Sequence, residues 1–209
     1  MSEVRQSPSI RIFLASSNVG KLREYQELAS GRVTVELLPN FRALPTFEES
    51  APTFAENAAG KALHYSRQTQ GMVLADDSGL VVPALGGLPG VYSARYAGPG
   101  ATDADRYRKL LRELEEKKGE ERRAHFVCVI AIAQAGRAVA IVSDCAEGVV
   151  AQEPCGSNGF GYDAIFFLPG LGRTYAELAA EEKNQYSHRG KAFRKAAKLL
   201  VNPGTVISL

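Results

Sequence analysis

Residues 9–28, SIRIFLASSNVGKLREYQEL, change their period part-way along. Ile10, Ile12 and Leu14 alternate with Arg11, Phe13 and Ala15 as in a strand, whereas Leu22, Tyr25, Leu28 and Ala29 recur at helical spacing. The switch falls on Ser16, Ser17, Asn18, Val19, Gly20 and Lys21. Backbone N–H groups at a helix N-terminus, joined by one ammonium, suit a polyphosphate. The spelling is not that of a Walker loop: Ala15 stands where its first glycine belongs, and Leu22 where Ser or Thr follows the lysine.

Working outward, a second strand is expected at residues 33–37. Thr53 and Glu56 form a capping pattern for a helix running through Lys61 to about Gln70. MVLADDSGLVV reads as a buried strand over residues 72–75 that ends in two carboxylates and a Ser-Gly turn. The following GGLPGVYSARYAGPG is too rich in glycine and proline for regular structure, and a loop that long is usually functional. Thr102 and Asp105 cap another helix, whose Tyr107, Leu110, Leu111 and Leu114 stripe is a core face.

HFVCVIAIA and AVAIVSDCAEGVVA, turning at residues 135–137, read as a long antiparallel hairpin. Thr174 with Glu177 is a third capping pattern, and Ser187 can cap a final helix. Helices alternating with strands, then a hairpin, predict an α/β fold: one domain over residues 1–209, with a central mixed, twisted sheet flanked by helices. Polar residues gather at predicted strand ends, where open α/β sheets hold ligands.

A chain of 209 residues, 45% hydrophobic, can bury one substantial core. Its 25 basic and 23 acidic residues leave a formal net charge of +2, too little to demand nucleic acid or an anionic membrane. Cys128, Cys145 and Cys155 are odd in number and lack C-x-x-C spacing, which fits a reducing, cytoplasmic setting. Residues 1–8 are polar and expected to lie outside the ordered domain, and neither signal peptide nor membrane anchor is expected.

Asp76 and Asp77 follow directly on an apolar strand and call for a cation or a donor; carboxylates without a His or Cys cluster suit Mg²⁺. A capped turn at Asp77 accounts for the same pattern equally well. Phe160, flanked by glycines, with Gly161, Tyr162 and the acceptor Asp163, suits a nucleobase that stacks; a β-bulge is the competing account. Ser187, His188 and Arg189 open a helix amid basic residues, whereas His64 and His125 fit structural roles. No G-x-S-x-G elbow or Cys-His signature supports a covalent nucleophile.

Together LASSNVGK, FEESAPTFAENAAGKA, LADDSGLVVPALGGLPGVYSARYAG, GFGYDAIFF and EEKNQYSHRGKA closely resemble the inosine/xanthosine triphosphate pyrophosphatase family, over roughly residues 10–199. The resemblance implies an elongated two-lobed α/β fold with a cleft between the lobes, a homodimer, and Mg²⁺-dependent hydrolysis of ITP, dITP and XTP to monophosphate and pyrophosphate. Residues 16–21 (Ser-Ser-Asn-Val-Gly-Lys) would bind the triphosphate with Lys61 assisting. Glu49, or its neighbour Glu48, would hold metal with Asp77. Asp77 would also activate water, and Ser78 would touch substrate. Phe160, Gly161, Tyr162, Asp163, Lys183, His188 and Arg189 would surround the base. Where many members have Thr-Gly, this chain has Ser16-Ser17.

Overall fold

The structure, a computed structural model, describes residues 9–202, so the expectation for residues 1–8 lies outside the described residues. Strand β1 (Ile10–Leu14) leads into helix α1 (Val19–Leu28), followed by β2 (Val33–Leu37), α2 (Phe54–Ser66) and β3 (Met72–Val81). Helix α3 (Asp103–Glu113) precedes the hairpin of β4 (Arg123–Gln134) and β5 (Arg137–Val150); β6 (Phe166–Leu168), β7 (Arg173–Thr174), α4 (Ala180–Tyr186) and α5 (His188–Val201) complete the order. The sheet runs β2-β1-β3-β4-β5-β6-β7. β1 is parallel to both neighbours and every later pairing is antiparallel, a mixed sheet as the pattern predicts.

Alternation along the strands divides the core. Ile12, Leu14, Leu74, Ile130 and Ile132 pack on one face with α1 Tyr25 and α5 Phe193, while Phe13, Val73, Ala75, Val129 and Ala131 pack on the other with α2 Ala58, Ala62 and Tyr65. A third cluster, around Leu80, Leu110, Leu114, Phe126, Phe166 and Tyr175, fills a second lobe at the far end of the long strands.

β3 departs from the expected strand-then-turn. Its parallel register with β1 stops at Leu14↔Leu74, but its antiparallel register with β4 continues from Val73 to Val81. Asp76, Asp77 and Ser78 therefore lie inside a strand that has lost a neighbour on one side. Gly79 does not make a turn: a Cβ there would overlap the Gly90 carbonyl and Ser93 Oγ. Ser93 Oγ accepts from the Leu80 N–H at 3.0 Å and donates to Gly90 O at 2.6 Å, tying the next loop to the strand. That loop is partly regular, with a 3-10 helix at Gly90–Arg95. Two further expectations shorten: α2 ends at Ser66 rather than near Gln70, and the Thr174–Glu177 cap starts only a 3-10 turn, Tyr175–Glu177.

Candidate active site

The loop that joins β1 to α1 is organised by its own side chains. Ser16 Oγ accepts from the Asn18 N–H at 3.1 Å, and Asn18 Oδ1 accepts from the Lys21 N–H at 3.0 Å, capping the helix. A Cβ on Gly20 would come within 2.5 Å of the Phe160 ring, so glycine is what lets that ring lie against the loop. Phe160 is fixed from its own side as well, since its N–H donates to Asp163 Oδ2 at 2.8 Å and the Gly161 N–H donates to Asp103 Oδ2 at 2.7 Å.

Because β3 continues as a strand, its adjacent carboxylates point to opposite faces. Asp76 follows the parity of Leu74 toward α1 and α5. It is fully buried, with Lys21 Nζ 3.0 Å from Oδ1 and Arg189 Nε 3.3 Å from Oδ2. Burial alone would raise its carboxyl, but the Lys21 and Arg189 charges outweigh that and hold it at about 2. Asp77 faces α2. Its Oδ1 accepts from the Ser78 N–H and its Oδ2 from Asn57 Nδ2, each at 2.9 Å. Burial raises this carboxyl to about 6, the Asn57 bond opposing and the Glu49 charge adding to the rise.

The Asp76 side carries a larger buried network. Lys183 Nζ lies 2.6 Å from Glu24 Oε1 and also pairs with Asp163, while Arg189 pairs with Glu24 and donates to Ser78 Oγ at 2.8 Å. Lys21, Lys183 and Arg189 thus meet Glu24, Asp76 and Asp163, three cations against three carboxylates. Burial would lower the Lys183 ammonium, but Asp163 and Glu24 hold it raised, so it is charged.

His188 starts α5, capped by Ser187 Oγ accepting from the Gly190 N–H at 3.0 Å. Its ring stacks on Phe126 at 4.5 Å between centroids, and its buried Nδ1 has no partner among the described residues. Burial first, then the charges of Arg189, Lys183, Lys21 and Lys191, push the imidazole well below its ordinary range. A group depressed in the folded state stabilises fully above its unfolded pKa, about 6.5, and loses that contribution as pH falls toward the folded value. The melting temperature is therefore expected to fall less between pH 7.5 and 5 in His188→Phe, which keeps the stack, than in the wild type. Equal slopes in thermal scans would refute this.

One cavity of ≈ 550 Å³ gathers most of the residues singled out from the sequence; outside its lining are Val19, which is 68% exposed, Gly20, which backs Phe160, the fully buried Asp76, and Glu48 and Ser187. Glu49 lines it and pairs with Lys61, whereas Glu48 is not part of the lining. Among the described residues no three His, Cys, Asp or Glu side chains converge as a metal cage. Asp77 and Glu49, two hard oxygen donors close enough for one charge to raise the other, fit a cation bound jointly by protein and phosphate oxygens.

The family model described as Ham1 family matches residues 12–199. The chain belongs to the Ham1 family. It is 51% identical over 185 residues, 88% of this chain and 91% of the relative, to a Geobacillus kaustophilus protein named dITP/XTP pyrophosphatase. A solved HAM1 protein from Coxiella burnetii superposes with a TM-score of 0.82 at 44% identity, covering 92% of this chain and 99% of that one. The Staphylococcus aureus Ham1 protein gives 0.80 at 37%, covering 92% and 99%.

Within this Ham1 chain, sequence reasoning missed Glu24, Asn57, Arg95 and Phe126. Arg95 Nη2 donates to Glu49 O at 3.1 Å, holding the acidic loop from its backbone. Glu24 and Asn57 are polar residues on helices, a pattern that ordinarily means a solvated face, and no local signal marks their burial. Among the described residues, no helix is long and apolar enough to cross a membrane.

Proposed function

We propose that this protein hydrolyses non-canonical purine nucleoside triphosphates, ITP, dITP and XTP, to the monophosphate and pyrophosphate. The observation that carries the reading is the convergence in one cavity of a helix-capping Ser-Asn-Lys loop, a carboxylate pair and a cationic aromatic pocket. Ser16, Ser17, Asn18 and Lys21 take the phosphates, with Gly20 giving the loop its close approach to Phe160, and Lys61 adds a second ammonium. Glu49 and Asp77 would hold Mg²⁺, which when bound supplies positive charge against the polyphosphate. Asp77 orients a water and takes its proton as the oxygen attacks the α-phosphorus. The bond to the bridging oxygen breaks and pyrophosphate leaves.

Phe160 to Asp163, with Lys183, His188 and Arg189, surround the base. Hypoxanthine and xanthine present an acceptor oxygen at C6, while adenine presents an amino group that leaves buried donors unpaired, costing about 1–3 kcal/mol per group. The near-neutral chain works as one domain on a small molecule rather than on nucleic acid, in the cytoplasm and as a homodimer.

A panel of ITP, dITP, XTP, ATP and GTP with Mg²⁺, scored for both phosphate products, tests this. Pyrophosphate from the first three is expected, with ATP slower by about 10-fold or more. Orthophosphate release, or ATP turned over as fast as ITP, would sink it.

A further inference from the structure

Asn57 sits on α2, 1% exposed, at a helical position where asparagine is a poorer helix former than alanine. Both donor hydrogens and the acceptor oxygen of its amide are engaged. Nδ2 donates to Asp77 Oδ2 at 2.9 Å and to Ala51 O at 3.3 Å, and Oδ1 accepts from the Ala51 N–H at 3.0 Å. Both donor hydrogens and the acceptor therefore join two segments distant in sequence: the loop that carries Glu49, and the middle of β3. Arg95 holds that loop at the Glu49 carbonyl, so Glu49 is pinned on both sides.

We propose that Asn57 is a positioning residue that pre-assembles the divalent-cation site, setting the plane of the Asp77 carboxylate and the distance of Glu49 from it through a single amide. The inference rests on the reading of Glu49 and Asp77 as cation ligands. With Oδ1 of Asp77 held by the Ser78 N–H and Oδ2 by Asn57, rotation of the carboxylate is restrained at both oxygens. Alanine at 57 would free Asp77 to rotate and release Ala51, so that the cation would have to order both carriers itself.

The test uses the full chain without nucleotide, with Mn²⁺ binding followed through the electron paramagnetic resonance signal of the free ion. Mg²⁺ activation, kcat and KM are measured alongside on ITP, and thermal unfolding by circular dichroism controls for the fold. In Asn57→Ala the Mn²⁺ dissociation constant and the half-activating Mg²⁺ concentration are expected to rise by about 10- to 100-fold. KM for ITP at saturating Mg²⁺ should stay within about 3-fold, because phosphate and base contacts are untouched. Asn57→Ser, which keeps one polar group, should fall between the two. Unchanged Mn²⁺ binding in folded Asn57→Ala overturns the proposal, and so does loss of folding in both variants, which would make Asn57 a residue of the fold. A wild type that responds to Mg²⁺ but binds no Mn²⁺ without nucleotide defeats pre-assembly, and one that does neither defeats the ligand assignment itself. A wild type that does both, matched by Asn57→Ala, defeats only the role of Asn57.

Discussion

Asp77→Asn is expected to lower kcat on ITP by about 10³-fold, roughly 4 kcal/mol of barrier, with KM changed by no more than about 3-fold. The substitution preserves shape but removes the charge that faces α2 and the site that would take a proton from water. Asn57 Nδ2 can still meet the amide oxygen in place of Oδ2, but the new amide nitrogen then faces the Ser78 N–H, so one local hydrogen bond is lost. The raised Asp77 carboxyl makes the change inexpensive for folding, because a buried negative charge beside Glu49 is replaced by a neutral group. Stability lowered by no more than about 1–2 kcal/mol, the lost Ser78 bond offset in part by the removed charge, together with lost turnover, separates chemistry from folding. Near-normal turnover at saturating Mg²⁺ would remove Asp77 from the mechanism.

Lys183→Met should have the largest effect on stability, a loss of about 3–5 kcal/mol in urea unfolding. Lys183 is almost fully buried between Glu24 and Asp163, so its removal leaves two carboxylates sharing what is left of the positive charge. The double variant Lys183→Met with Asp163→Asn is expected to recover part of the loss, since it removes one orphaned charge. A surface ion pair would cost well under about 1 kcal/mol by comparison. If Lys183→Met costs no more than that, the network is not the balanced unit described above.

Local pattern made much of this architecture legible. The change of period in residues 9–28 marks the β1–α1 junction, and the cap at Ser187 and the long hairpin follow from side-chain chemistry and β-branched runs. Where the reading of β3 stopped short, the reason is specific. Aspartate is disfavoured in strands, so Asp76 and Asp77 look like a strand end, yet β4 supplies backbone partners through Val81, and Lys21, Arg189 and Asn57 compensate the charges. Glu24 was illegible for a related reason. Its partner Lys183 stands 159 positions along the chain, and no window of sequence contains both. The 3-10 helix at Gly90–Arg95 is too short to register among the glycines and prolines of the surrounding loop.

The parity of β3 also has a bearing on how such an enzyme can change. One backbone carries Asp76 into the neighbourhood of α1 and α5, and Asp77 into that of α2, beside a single cavity that both sets of helices help to line. Under the proposed function, residues carried by α4 and α5 would be the ones to exchange for a new purine with Asp77 and its α2 partner left in place, and Lys21, which ties Asp76 to the phosphate loop, would be the one position where selectivity and turnover are inherited together.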